Sequence, residues 1–176
     1  FIPYGAELGR VESSGVLREL GLEPGRYFLY VSRMEPENNG LLVREAFERL
    51  PESVTAGMKL ALIGDAPYAD EYIRRVRDTR DPRVVMPGAI YGLGYRELQS
   101  HCFAYVHATE VGGTHPALIE AMGRGALTLF LETVENTEVA GGVAVPFRQG
   151  DLTDVMAGVI GMGAAEMEGL RSAAMG

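Results

Sequence analysis

Tryptophan is missing from the 176 residues, cysteine occurs once and histidine three times. A single cysteine, Cys102, rules out an intrachain disulfide framework and any cysteine-based zinc site. It opens an apolar run with no general base nearby, so it reads as core packing rather than a nucleophile. The histidines have no carboxylate or cysteine at ligand spacing, and no metal site is expected. Positive charge is also scarce. Sixteen Lys and Arg against 24 Asp and Glu give a net charge of -8 and a pI near 4.9, which argues against a surface made for nucleic-acid phosphates or an anionic membrane. Any phosphate must therefore be met locally, by a few groups. No apolar run approaches the roughly 20 residues that span a bilayer, and the amino terminus lacks the basic-then-apolar form of a signal peptide. The expectation is a soluble, cytoplasmic chain without a transmembrane segment.

With 47% hydrophobic and 23% charged residues, what remains is ordinary globular composition. A chain of this length fits one domain and buries roughly 70% of its unfolded surface. Residues 1–176 are read as a single domain, a fragment that begins at Phe1 and whose residues 1–10 form an interdomain connector. From Arg26 onward, short β-branched or aromatic runs alternate with helical segments, the pattern of βαβ units. Strands are expected at 27–32, 58–63, 83–86, 102–107, 126–131 and 143–146, mostly as continuous apolar runs suited to burial on both faces. Val43, Ala46, Phe47 and Leu50 recur at i, i+3, i+4 and i+7, one stripe of a helix. Further helices are expected at 70–78, 95–100, 114–122, 151–160 and 164–174. The fold class is α/β, a Rossmann-like parallel sheet of about six strands flanked by helices. Gly64-Asp65-Ala66-Pro67, Pro87-Gly88 and Gly112-Gly113 follow strands as crossover breaks. In open parallel sheets ligands bind beyond the carboxyl ends of the strands, so these loops define the candidate site.

The segment HATEVGGTHPALIEAMGRG, residues 107–125, carries the most chemistry. Gly112 and Gly113 allow close backbone approach, Thr114 suits an N-cap and Pro116 a first helical turn. Free amides at such a helix start favour an anion. Glu120 is the only formally charged side chain between Val111 and Gly123. Set among apolar neighbours, its carboxylate needs donors, either from the protein or from the paired hydroxyls of a ribose. The alternative is a plain tight turn and a glutamate that reaches solvent. His107, at the end of the fourth strand, could face the ligand, while His101 and His115 look scattered.

In FLYVSRMEPENNGLLVREAF, residues 28–47, Arg33 stands at the end of the first strand, where its fork could pair with a diphosphate or simply form a surface salt bridge. Asn38 and Asn39 could donate to phosphate oxygens, though capping the next helix is the commoner role. The arginines from Arg74 to Arg83 are interleaved with acids and read as a solvated helix face.

Taken in order, IPYGAE, YFLYVSRMEPENNGLLVREAFERL, KLALIGDAP and RVVMPGAIYGLGYRELQSHCFAYVHATEVGGTHPALIEAMGRG resemble the carboxy-terminal domain of retaining glycosyltransferases with the GT-B fold. The similarity runs from Ile2 to about Phe147, and it is nearest to the glycosyltransferase group 1 / family 4 type, in the bacterial rhamnosyltransferase-like branch with a similar VGGT-x-P segment. The resemblance implies one half of a GT-B fold, with the acceptor-binding amino-terminal domain absent from this chain. It implies a nucleotide diphosphate sugar as donor, linked to UDP, GDP or dTDP, with no further cofactor. Arg33 would then meet the donor diphosphate and Glu120 the ribose, while Gly113 and Thr114 supply backbone amides. Ala89 and Ile90 fall where such enzymes contact the base. Relatives often carry lysine where Asn38 stands and glutamate where Gly112 stands, so one cation and one acid are missing. Glu138 matches a recurring position without an assigned role, and the catalytic residues are not identified.

The function expected is sugar transfer to an acceptor hydroxyl with retention, in bacterial polysaccharide or glycoconjugate synthesis, with the fragment alone inactive. Half of a GT-B-fold nucleotide-sugar epimerase and a non-catalytic nucleotide-binding domain are the alternatives.

Overall fold

The computed structural model describes residues 5–112 and 115–176. In chain order the elements are α1 (Gly15–Glu19), β1 (Tyr27–Val31), a single 3-10 turn (Pro36–Asn38), α2 (Gly40–Glu48), α3 (Glu52–Thr55), β2 (Lys59–Ile63), α4 (Asp70–Arg77), β3 (Val84–Gly88), α5 (Gly92–His101), β4 (Ala104–His107), α6 (Pro116–Gly123), β5 (Leu127–Leu131), α7 (Val134–Ala140), β6 (Val145–Phe147), α8 (Leu152–Ile160) and α9 (Ala164–Met175). All six strands pair in parallel in the order β3-β2-β1-β4-β5-β6. This is the expected Rossmann-like α/β architecture. The strand order reverses between β1 and β4, and the crevice of such a sheet opens at that point.

Alternation along the strands builds both layers of the core. Phe28, Tyr30, Leu60, Leu62, Val106 and Leu129 face one way, onto α2, α4 and α8, and meet Val43, Phe47, Ile73 and Met156. Tyr27, Leu29, Ala61, Ile63 and Tyr105 face the other way and meet Leu17 of α1, Leu98 of α5 and Ala121 of α6. The buried tyrosines reach partners: the Tyr27 hydroxyl donates to the Leu98 carbonyl at 2.7 Å and that of Tyr30 to the Asn38 carbonyl at 2.8 Å. Phe47 is fully enclosed, with the Arg83 guanidinium 5.0 Å from its ring centre. Truncating such a side chain to alanine typically costs about 3–5 kcal/mol.

Several boundaries depart from the sequence reading. Pro87 and Gly88 belong to β3 instead of ending it, because β3 lies at the edge of the sheet and a residue without an amide hydrogen is tolerated there. The opposite edge strand, β6, likewise carries Pro146. The short helices α1, α3 and α7 were not anticipated, each being too brief to display a periodic stripe. His115 stands at the N-cap of α6, in the left-handed region at φ 39°; Gly113 and Thr114, the expected cap, lie outside the described residues.

The expected connector is fastened to the far end of α6. The Gly9 amide donates to the Gly123 carbonyl at 2.9 Å, Arg10 to that of Gly125 at 2.9 Å, and Arg124 returns a bond to Gly9 at 2.9 Å. No helix among the described residues is long and apolar enough to cross a membrane.

Candidate functional site

The loops after β1, β2, β3 and β4 enclose a crevice of about 400 Å³, within the range of small-molecule sites. Its walls come close together at Gly64, where φ is 147° and an added Cβ would lie 1.8 Å from the Ser32 carbonyl oxygen. Only glycine fits that backbone, and its absence of a side chain is what lets the β1 and β2 loops touch.

Arg33, Asn38, Ala89, Ile90 and Gly112 all line the crevice. Arg33 is the one arginine or lysine that does so among the described residues, and its side chain is 72% exposed. It is already engaged. Its guanidinium lies 3.3 Å from the Glu35 carboxylate and donates to the Tyr68 hydroxyl at 3.4 Å, while Tyr68 donates to Glu35. That carboxylate holds the Tyr68 phenol above its usual pKa.

Asn39 stands at the N-cap of α2, but its side chain makes no capping bond there. Asn38 is buried and donates to the Arg33 carbonyl at 2.8 Å, which fixes the turn that presents Arg33. Asn39 sits in the left-handed region and donates to the Ala108 carbonyl and to Glu110, both at 2.9 Å. With the Glu110 amide bonded to the Glu37 carbonyl at 2.9 Å, the β1 and β4 loops are laced together.

The floor holds a pair that spacing did not reveal. His107 and His115 are both nearly fully buried, with Nε2 of the first 3.2 Å from Nδ1 of the second and the rings edge to face. Burial, and then the neighbouring imidazole, push His107 down to about 3, and burial also lowers His115. Both rings are therefore neutral at pH 7, sharing one proton along their contact. The left-handed turn at His115 brings the pair together, and sequence separation gives no sign of that turn. The same ring explains the glycine at 112: a Cβ there would come within 2.9 Å of the His115 ring, so the space beside the loop is already taken.

Glu120 does not open into this crevice. Pro116 and Ala117 of α6 line it, and Glu120, three to four residues on, lies about one turn or 5 Å farther along. There it borders a second hollow, also about 400 Å³, with Gly92, Tyr95, Gln99 and Arg124. Arg33 thus borders the first hollow and Glu120 the second, with Ile90 and Tyr91 of the β3–α5 loop on the first and Gly92, at the start of α5, on the second. The Tyr95 hydroxyl donates to Glu120 Oε2 at 2.6 Å. Glu120 forms no ion pair among the described residues, since Arg124 and Arg96 both turn to Glu7, at 2.9 and 3.7 Å. Among the described residues no three of His, Cys, Asp and Glu gather as metal ligands.

No protein-family model matches the sequence, and no curated protein sequence matches it either. Solved structures do match. HepE of Anabaena, in complex with UDP and glucose, superposes with a TM-score of 0.79 at 17% identity, over 97% of this chain and 49% of that one. A glycosyltransferase from Rickettsia africae ESF-5 gives 0.77 at 13%, over 90% and 44%. WaaG, a glycosyltransferase involved in lipopolysaccharide biosynthesis, gives 0.71 at 16%, over 94% and 46%. The chain thus spans about half the length of these proteins, and its fold is that of one GT-B half.

Proposed function

We propose that this chain is the donor-binding domain of a glycosyltransferase, taking a nucleotide diphosphate sugar and passing the sugar, with retention, to an acceptor hydroxyl. One observation carries the reading. At the strand-order reversal, a crevice lined by the Arg33 guanidinium adjoins a hollow whose Glu120 carboxylate has no ionic partner among the described residues. A diphosphate suits the first and a ribose the second, and one helical turn separates them. The fold is shared with HepE, which was also solved with UDP-glucose.

Arg33 would exchange Glu35 for the diphosphate and stabilise the charge that develops as the sugar leaves, a mainly electrostatic contribution. Amides at residues 113 and 114 would add to it, and Ala89 and Ile90 would flank the base. A neutral imidazole pair on the floor avoids a buried positive charge and supplies polar ring edges beside the sugar. The acceptor site belongs to a second, amino-terminal domain, so this chain alone binds donor without turning it over. A cytoplasmic setting, in bacterial polysaccharide or glycoconjugate synthesis, fits such a donor.

Calorimetry with UDP, GDP and dTDP tests the proposal, with one of the three expected to bind. If none binds at about millimolar concentration, the donor-domain reading fails. An epimerase would instead turn the donor over in the full-length enzyme without an acceptor, giving an epimeric nucleotide sugar in place of a transferred sugar and free nucleotide diphosphate.

A further inference from the structure

The second hollow contains a line of three side chains whose direction follows from chemistry alone. The Ala117 carbonyl can only accept, and Gln99 Nε2 lies 3.4 Å from it and 2.8 Å from the Tyr95 hydroxyl. The amide nitrogen, not its oxygen, therefore faces both groups, and it donates to the Tyr95 oxygen. The phenol has one proton, and that proton is left for Glu120 Oε2 at 2.6 Å, the length of a bond to an ionised carboxylate. Burial, and then this carboxylate, raise the Tyr95 pKa, so the hydroxyl stays a donor. At the far end Gln99 is 1% exposed, and its Oε1 has no partner among the described residues. The amide keeps its nitrogen on the line and leaves its own oxygen unbonded.

The consequence lies at Glu120. Oε2 is occupied, Oε1 receives no bond from a described residue, and the nearby arginines are committed to Glu7. A full negative charge held this way repels phosphate and accepts only from donors. We infer that Tyr95 is a positioning residue that sets ligand specificity: it fixes the Glu120 carboxylate so that the hollow takes the vicinal hydroxyls of a ribose and disfavours a 2′-deoxyribose. The inference rests on the donor-binding reading, ribose at Glu120 included, and adds to it the residue that makes this carboxylate selective.

The test is calorimetry on the full chain with UDP and with 2′-deoxyuridine diphosphate. The unmodified protein is expected to prefer UDP by about tenfold, the worth of one well-placed hydrogen bond to a charged group. In Tyr95→Phe the UDP affinity should fall until the two ligands bind alike, with 2′-deoxyuridine diphosphate nearly unaffected. A purely structural tyrosine would weaken both equally. Should Tyr95→Phe not fold, Gln99→Met leaves Tyr95 and Glu120 in place but frees the phenol to turn, and it should narrow the same preference. Equal binding of both ligands to the unmodified protein, binding of dTDP in preference to UDP and GDP, or an unchanged preference in the variants overturns the inference while leaving donor binding intact. Failure of the unmodified protein to bind UDP, GDP or dTDP overturns the donor reading, and this inference with it.

Discussion

In the crevice the polar groups come from loops and from the end of β4 and are paired with one another, Arg33 with Glu35 and His107 with His115. In the hollow beside it they come from α5 and α6 and run head to tail, from Gln99 through Tyr95 to Glu120. The guanidinium of the first pair is largely exposed, so its bond to Glu35 is screened and can be exchanged for a ligand. A directed line between two packed helices holds its geometry and ends on an acceptor. The crevice is therefore suited to a charged group that displaces its own counterpart, and the hollow to a neutral donor that adds to what is there.

The largest effect should come from closing the crevice. Gly64→Ala places a Cβ against the Ser32 carbonyl and should cost about 3 kcal/mol or more, read by urea denaturation. A near-native midpoint would mean that the two loops separate easily. Next, Arg33→Ala should weaken nucleoside diphosphate binding by roughly 10- to 100-fold while barely moving the melting temperature, since the side chain is largely exposed. Comparable losses in both quantities would make Arg33 a structural residue.

The imidazole pair should make stability fall in mild acid. His107 has a folded-state pKa near 3 against 6.5 for the free side chain. The unfolded chain therefore takes up the proton first, and stability is full above about pH 6.5 and declines as pH falls toward 3. Between pH 7.5 and pH 5 the loss should be about 2 kcal/mol, and His107→Gln should flatten it. A flat profile in the unmodified protein would contradict a buried, neutral pair. The smallest expected change is a gain: Glu35→Gln frees Arg33 and should tighten diphosphate binding about threefold. Weaker binding would show that Glu35 aims the guanidinium instead of competing for it.

The sequence is most informative where a single element decides the outcome. The continuous apolar runs of β1, β2 and β4 and the stripe of Val43, Ala46, Phe47 and Leu50 are set by burial along one element, and all of them appear close to their expected places. Arg33 and Glu120 could be singled out because each is a charge in an apolar setting. Their partners could not. Tyr68 meets Arg33 across two loops, Tyr95 meets Glu120 across two helices, and His115 meets His107 only through a left-handed residue. Such contacts depend on the relative placement of elements, which local periodicity does not encode. The extension of β3 through Pro87 has the same origin, because only the sheet order makes that strand an edge.

That sheet order has one more consequence. Both outermost strands, β3 and β6, include a proline, Pro87 on one side and Pro146 on the other. A second copy approaching either margin meets a broken row of amide hydrogens, so the sheet has no continuous template on which a neighbouring molecule could zip. The same two residues that disguise the strand ends in the sequence thus help keep each molecule separate from the next.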